Sequence, residues 1–434
     1  MKIRQKMCFS VMMLFILSVP MPLFAVNGYF LHGVGAVNES MGGAATAGNA
    51  SDVIGSLHRN PANATVFEKS TAAISLEVLL PDVTISSSFP LGDLVLEGET
   101  DSDVDAIPGA NLGLVYHSDA YPAALYCGLM AEAGLHLKLP QSQTNPILLP
   151  QQFGGFGAVE TQLEVVRIPL GCAWDYNDRL SLGVALAPSI ARMKFTPAAF
   201  AAPDDADQSG IPTYPDDIDH DFAFGIGVQA GVRYQVTDDM HLGFTITSPT
   251  WFDSFEWDTK DEAGGKRRVS FKLNRPMTIS AGGSYRMPSD TLLLMDVSWI
   301  NYADTKGFED TGFAADGSLK GLGFDDIFTV ALGAQQPVGD KLNLRCGYNY
   351  GQNPIDDDYT FFNIGSPLHN EHHLSLGMSW AMTGKAYLDV GYSYAFETSQ
   401  SGPMVLPGIG QVPGTEVESS LSYHHIALGV TVSY

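Results

Sequence analysis

The last ten residues constrain this chain most. His425 to Tyr434 reads HIALGVTVSY, in which Ile426, Leu428, Val430, Val432 and the terminal Tyr434 alternate with Ala427, Gly429, Thr431 and Ser433. A repeat of two residues belongs to a β-strand that shows different chemistry to its two sides. Here the second side is small or hydroxylic rather than charged, which suits an apolar outer face against lipid and a crowded interior. The final strand of a soluble barrel shares the pattern, so the rest of the chain has to decide.

At the other end, Lys2, Arg4 and Lys6 precede an apolar run from Met7 to Val19, and Pro20 and Pro22 lead to Leu23-Phe24-Ala25. Residues 1–25 read as a secretory signal peptide cleaved after Ala25; the apolar run falls short of the roughly 20 residues that span a bilayer. Cleavage removes three bases and no acid, moving the formal net charge from −25 to −28. Such acidity argues against nucleic acid as a partner. No later segment approaches an apolar spanning helix. The mature chain is therefore soluble in the periplasm or crosses a membrane as strands, the other arrangement that satisfies every backbone group in lipid. With 45 glycines, 10% aromatic and only 16% charged residues, the composition favours strands. Cys127, Cys172 and Cys346, an odd number on separate strands, read as small hydrophobes facing lipid and not as a disulfide framework.

Runs of period two predict fourteen strands, at about 70–86, 107–118, 121–138, 160–175, 179–195, 221–236, 240–257, 267–286, 291–303, 326–336, 341–351, 372–382, 386–397 and 421–434. Their connections alternate. Ser118-Asp119, Asn177-Asp178, Thr237-Asp238-Asp239, Ser289-Asp290, Gly339-Asp340 and Thr383-Gly384 are tight and rich in turn-formers, whereas the others are long and rich in Gly, Pro and Asp. Short turns on one side and long loops on the other are the pattern of an outer-membrane barrel with the short side periplasmic. Trp174 and Tyr176 on the inner side, with Trp251, Trp257, Trp299 and Tyr302 on the outer side, are expected to form interfacial girdles. Acidic runs such as Asp204-Asp205-Ala206-Asp207 and Asp356-Asp357-Asp358 read either as a solvated surface or as oxygen ligands for divalent cations bridging to lipopolysaccharide. No G-x-S-x-G is present, and Glu371-His372-His373 and His424-His425 lack metal-ligand spacing. The reading is accordingly of a chain that is not an enzyme and carries no catalytic residue, metal or cofactor.

Between the signal and the first strand, Val26 to Glu68 is rich in Gly, Ala and Asn and lacks alternation. It contains Met41-Gly42-Gly43-Ala44-Ala45-Thr46-Ala47-Gly48, then Asp52, then Asn60-Pro61-Ala62. With the fourteen strands and the stretch from Gly323-Phe324-Asp325-Asp326 to Val330-Ala331-Leu332-Gly333, these motifs resemble the FadL/OmpP1/TodX family across nearly the whole mature chain. The resemblance implies an all-β fold: a 14-stranded antiparallel transmembrane β-barrel over 69–434 with an N-terminal plug over 26–68 in its lumen. It implies an outer-membrane location in a Gram-negative bacterium, recognition of the strand ending in Tyr434 by the assembly machinery, and a monomer. The function it implies is passive transport of hydrophobic substrates, long-chain fatty acids first and neutral aromatic or aliphatic hydrocarbons as the alternative. A surface adhesin or antigen-type barrel without transport, and a diffusion porin, are the rival readings.

The route implied by the family runs from capture at the outer face into an apolar cavity, past a moving plug, and sideways through a gap at a kinked third strand. Glu132, Gly134 and His136 fall at that kink and share the lumen parity, while Leu129, Ala131, Ala133, Leu135 and Leu137 take the lipid one. A glycine inside a strand marks a bulge or bend. For a carboxylate head group the resemblance points to Arg192, Lys194 and Lys320. Yet Arg192 and Lys194 share the outward parity of Leu182, Val184 and Ile190, so that role requires a one-residue slip, which a bulge near Pro188 would provide. Asn60, Pro61 and Ala62 read as a turn that fixes the plug and not as substrate contacts. The loops after the fifth and seventh strands, short and acidic, offer Phe200, Ala201 and Ala202 as their one apolar cluster.

Overall fold

In a computed structural model, residues 27–434 are described apart from 119, 120 and 217. The expected signal segment and Asp119 of the first tight turn lie outside the described residues. Seventeen hydrogen-bonded segments form one sheet. Two of them are halves of one barrel strand and two extend neighbouring strands outward, which leaves fourteen strands around a closed wall. They are β1 (Thr71–Leu91), β2 (Ile107–Ser118), β3 (Tyr121–Leu139), β4 (Val159–Arg167 continued by Leu170–Asn177), β5 (Leu180–Thr196), β6 (Asp221–Thr237) and β7 (Met240–Thr247). The second half comprises β8 (Met277–Arg286), β9 (Leu292–Asn301), β10 (Ile327–Val338), β11 (Leu342–Gly351), β12 (His372–Thr383), β13 (Ala386–Gly402) and β14 (Glu416–Ser433). β14 closes the wall by running antiparallel to β1, from Thr71 opposite Ser433 to Ser88 opposite Glu416.

The alternation at the chain end does what its period requires: Ile426, Leu428 and Val432 are exposed outside, while Ala427 and His425 are buried inside. The same parity repeats around the wall in Ile74, Leu129, Leu186, Phe244 and Leu332, all outward. Tight turns join the strands at one end, with Asp290 and Gly339 in left-handed backbone at φ 63° and 65°, a conformation short hairpin loops demand.

Three expected strands are shorter or broken, each at a proline, which cannot donate to a ladder. The run 160–175 divides at Ile168-Pro169. The run 240–257 is interrupted at Ser248-Pro249, after which only Trp251–Phe252 pairs with β6, and the run 267–286 rejoins the wall only after Pro276. Between them, Phe255–Lys260 and Lys266–Phe271 pair only with each other as a hairpin above the rim. The girdle assignment changes with them. Tyr176 and Trp251 are exposed as expected, but Trp257 and Tyr302 are buried in the interior.

Inside the wall lies a plug of short turns: α1 (Ala36–Glu39), α2 (Val53–Arg59) and a 3-10 turn at Pro61–Val66. Asp52 caps α2 by accepting from the Gly55 amide at 2.9 Å. Buried Asn60 ends α2 and begins the next turn, its Oδ1 accepting from the Ala62 amide at 3.0 Å. Its Nδ2 donates to the Thr46 carbonyl in the plug and to the Val232 carbonyl of the wall, both at 2.9 Å. The wall is cut away to receive this turn: a Cβ on Gly231 would sit 2.0 Å from Asn60 Oδ1, and one on Gly183 would sit 2.3 Å from the Ala62 nitrogen. Asp296 of β9 accepts from the amides of Ala45 and Thr46 at 2.8 and 2.9 Å, and Glu77 of β1 accepts from the Gly35 amide at 2.8 Å. Every plug segment is thus hydrogen-bonded to the barrel, as buried backbone requires.

Candidate functional site

Above the plug, the outer half of the lumen is apolar. One narrow cavity is lined chiefly by Tyr29, Leu135, Leu163, Met193, Phe200 and Phe308. A second lies against Phe156, Phe313, Phe361 and Phe362. Phe195 and Leu319 line both, so the two adjoin. Among the described residues, no charged side chain lines either cavity; Thr161 and Ser366 are the polar residues of the first.

The roof comes from the loops. Phe200 stacks on Phe271 with centroids 4.7 Å apart and packs on Trp257 at 5.4 Å and Phe195 at 5.3 Å. The apolar cluster read at Phe200 is therefore one part of a larger aromatic assembly contributed by β5, one loop and a hairpin. Sequence reasoning missed the rest because its members stand singly among polar residues. Tyr214 stacks on Phe156 of the second cavity at 5.9 Å; its hydroxyl donates to the Gly317 carbonyl at 2.8 Å, and burial pushes its phenol up to about 12, keeping it a neutral donor.

The wall beside the first cavity is incomplete. β2 pairs with β1 from Ile107 to Val115 but with β3 only from Leu112 onward, where Leu112 faces Leu129. Beyond that point β3 is held on this side by few bonds. The Ala131 amide donates to Asn111 Oδ1 at 2.7 Å, and farther out the Lys138 carbonyl accepts from the Asp103 amide at 2.8 Å. Residues 132–137 between these staples have no ladder partner toward β2, which leaves a gap in the ladder along roughly 20 Å of strand.

β3 carries a bulge here: Ala131 faces Val166 and Ala133 faces Val165, leaving Glu132 as the extra residue. An extra residue reverses every later side chain, which corrects the expected parity. Glu132 does face the lumen and is buried, but Gly134 and His136 turn outward, whereas Ala133, Leu135, Leu137 and Leu139 turn inward. Gly134 looks into the gap; a Cβ there would meet only Ile107, at 3.9 Å.

No bulge forms at Pro188. The register of β5 on β6 is unbroken from Leu180 opposite Tyr234 to Met193 opposite Asp221. Arg192 and Lys194 therefore stay outside the barrel, where Arg192 Nη1 donates to Glu164 at 3.2 Å and Lys194 Nζ to Glu160 at 2.7 Å. His136 joins the same outer patch through Gln162, at 2.8 Å, and so does His220, hydrogen-bonded to Gln162. Burial, then Arg192 and Lys194, hold the His220 imidazole below its ordinary pKa. Lys320 lies between two cavity-lining residues, Leu319 and Gly321, and is itself exposed. The structure brings Leu135, Gly134 and Glu132 together at the gap and leaves the three expected bases outside the cavities.

The model of the family described as outer membrane protein transport protein (OMPP1/FadL/TodX) matches residues 27–403. The chain is 24% identical over 410 residues to a long-chain fatty acid transport protein of Escherichia coli O6:H1, covering 86% of each chain. It is 25% identical over 397 residues to outer membrane protein P1 of Haemophilus influenzae, covering 81% of this chain and 82% of that protein. Among solved structures, a Pseudomonas aeruginosa FadL homologue superposes with a TM-score of 0.71 at 15% identity, over 94% of this chain and 99% of that one. The P. putida toluene transporter TodX superposes with a TM-score of 0.68 at 15% identity, over 93% and 99%. With a closed fourteen-stranded wall, a lipid-facing apolar parity and a lumen plug already in place, the chain belongs to the OMPP1/FadL/TodX family: an outer-membrane β-barrel that transports hydrophobic compounds and is not an enzyme.

Proposed function

We propose that this transporter carries small uncharged hydrophobic molecules, aromatic or aliphatic hydrocarbons, from the outer face through the two adjoining cavities and out sideways at the β2–β3 gap. The observation that carries this reading is the cavity lining, in which aromatic and aliphatic side chains meet no charge among the described residues. An ionised carboxylate placed there has no partner, and an unpaired buried charge is costly. An uncharged molecule gains about 25 cal/mol for each Å² of apolar surface it withdraws from water. The gap supports lateral exit, because it opens beside Leu135 of the cavity and lets such a molecule reach lipid without crossing an aqueous pore. TodX, similar in fold, is named a toluene transporter.

Long-chain fatty acids are the second reading, favoured by Lys320 at the cavity rim. There the ammonium would meet a carboxylate in water while the tail fills the cavity, and the E. coli relative is named for such cargo. The test is accumulation of labelled naphthalene and, separately, labelled oleate in cells lacking their own outer-membrane importers, with surface display matched by loop labelling. Naphthalene uptake that depends on this protein supports the first reading. Oleate uptake alone, abolished by Lys320→Ala, replaces it with the second.

A further inference from the structure

The outward face of β3, β4 and β5 changes character within one step along the strands. His136 of β3, Gln162 of β4 and Lys194 of β5 lie in one cross-strand row, with Gly134, Glu164 and Arg192 in the row below and Lys138 and Glu160 in the row above. The next row toward the periplasm is apolar: Val166 faces Ile190, and Ile190 faces Phe224. Ile190 and Phe224 are exposed there. From Leu180 to Arg192, β5 climbs roughly 40 Å of strand, about 30 Å of height at the tilt such strands take. Arg192 therefore stands just beyond an apolar band about 25 Å tall, at the depth of the outer leaflet's phosphates.

Charge sets the patch apart. Lys138, Arg192 and Lys194 outweigh Glu160 and Glu164, in a chain whose formal net charge is −25. The bases also keep donors in reserve. Arg192 offers both carboxylate oxygens of Glu164 the same Nη1, at 3.2 and 3.4 Å, so its Nε and Nη2 have no partner among the described residues. Lys194 uses one of its three donors on Glu160, at 2.7 Å, and Lys138 is exposed. Gln162 fixes the centre: its Nε2 donates to His136 at 2.8 Å and to Glu160 at 3.0 Å, and its Oε1 accepts from His220. Ion pairs as exposed as these are weakly held, and a phosphate can compete with their carboxylates.

We propose that this patch docks lipopolysaccharide, with a lipid A phosphate on the open fork of Arg192 and on Lys194, and an acyl chain along Ile190, Phe222 and Phe224. A guanidinium matches a phosphate bidentately. Phe222 stands directly opposite Arg192 and is 54% exposed, so one ligand meets charge and apolar surface side by side. The bases that the unbroken register leaves outside thus have an anionic partner in the membrane and not in the cargo. The site is independent of what the barrel transports.

The test uses the full mature barrel refolded in detergent, so that it carries no cellular lipid. Native mass spectrometry compares its occupancy by diphosphorylated lipid A and by the same lipid without phosphates, in EDTA. The parent is expected to prefer the phosphorylated lipid at least about tenfold, the factor that ~1.4 kcal/mol represents. Arg192→Ala with Lys194→Ala should abolish that preference. Glu160→Gln with Glu164→Gln should strengthen it, since the carboxylates no longer compete for the same donors. Lys266→Ala with Arg268→Ala, on the hairpin above the rim, should leave it unchanged. A parent without preference, or a β5 double variant that keeps it, overturns the proposal. So does an equal loss from the hairpin variant, which would mark a general attraction of charge. Binding that appears only when magnesium replaces EDTA, and is lost in the glutamine variant, overturns it in favour of a divalent cation held between the acids and the lipid. Should the β5 alanine variant fail to assemble, as judged by heat-modified migration on gels, Arg192→Gln with Lys194→Met takes its place under the same criteria.

Discussion

β3 and β5 run up the same side of the wall with only β4 between them, and each enters its outer half with polar residues expected to face inward, Glu132 and His136 of β3 by their alternation and Arg192 and Lys194 of β5 by the family resemblance. β5 keeps its register through Pro188 and leaves Arg192 and Lys194 outside. β3 takes one extra residue at Glu132 and turns an aliphatic row, Leu135, Leu137 and Leu139, into the lumen. The difference is one of counting. A proline deletes a hydrogen-bond donor but occupies one ladder position like any residue, and Pro188 still faces Ile226. A bulge inserts a position, and with a side-chain period of two only an insertion exchanges the faces.

The largest effect is expected from filling the gap that the bulge creates. Gly134→Trp places an indole where a Cβ meets only Ile107, and protein-dependent uptake of naphthalene should fall at least about tenfold, a loss of ~1.4 kcal/mol or more. The matched substitution on β5, Val184→Trp at an outward position 46% exposed, should leave uptake unchanged. Transport that survives Gly134→Trp in a folded barrel would remove the lateral route, and a loss in both variants would show that outward bulk is harmful anywhere on this wall.

Next in size is the seat of the plug, where β5 and β6 make room for Asn60-Pro61-Ala62. Gly231→Leu brings a side chain onto Asn60 Oδ1, and the close approach leaves no space to shift. Overpacking of this kind costs about 1–3 kcal/mol. The expected results are a lower unfolding temperature and, in planar bilayers, a conductance that the parent lacks because its plug fills the lumen. A parent that already conducts steadily would instead favour a porin.

Much of the architecture is legible in the chain because it follows from period and punctuation. Fourteen alternating runs, tight turns at one end and a small-residue plug each rest on local chemistry, and the wall realises them. What is not legible needs residue counting or distant pairing. Nothing in Leu129 to Leu137 states that Glu132 is supernumerary, although a lone acid between two alanines at mid-strand is the one local signal. Trp257 and Tyr302 fit an interfacial girdle as well as a core, since an amphipathic ring suits both. Which one applies depends on loops that fold back over them. The cavity roof escaped for the same reason: Phe200 and Phe271 meet across seventy residues of sequence that only the barrel brings together.

A smaller effect is expected at that roof. Phe200→Ala removes a partly buried ring shared by Phe195, Trp257 and Phe271. Its cost to stability should lie below the about 3–5 kcal/mol of a fully buried phenylalanine. Binding suffers more than folding, because the ring is part of the cavity lining. Titration of the purified protein with naphthalene should show an affinity weakened by about tenfold, or ~1.4 kcal/mol. If affinity holds while thermal stability drops, the ring is only structural and the capture surface lies elsewhere.

The smallest effect is assigned to the residues that family resemblance ranks highest. Arg192 and Lys194 face outward in partly exposed pairs with Glu164 and Glu160, and solvent screens such pairs to about 0–1 kcal/mol. Arg192→Ala with Lys194→Ala should therefore change neither naphthalene nor oleate uptake by more than about twofold, ~0.4 kcal/mol on the scale where 1.4 kcal/mol is tenfold, while the paired acids remain solvated. The contrast with β3 is then complete, since one added side chain at Gly134 is expected to stop transport, whereas two outward charges on β5 can be lost without consequence for it. A selective loss of oleate uptake in the double variant would break the comparison: it would place a carboxylate at the outer wall of β5, and the path of a charged cargo would have to run over the barrel's outer surface before it reached the gap.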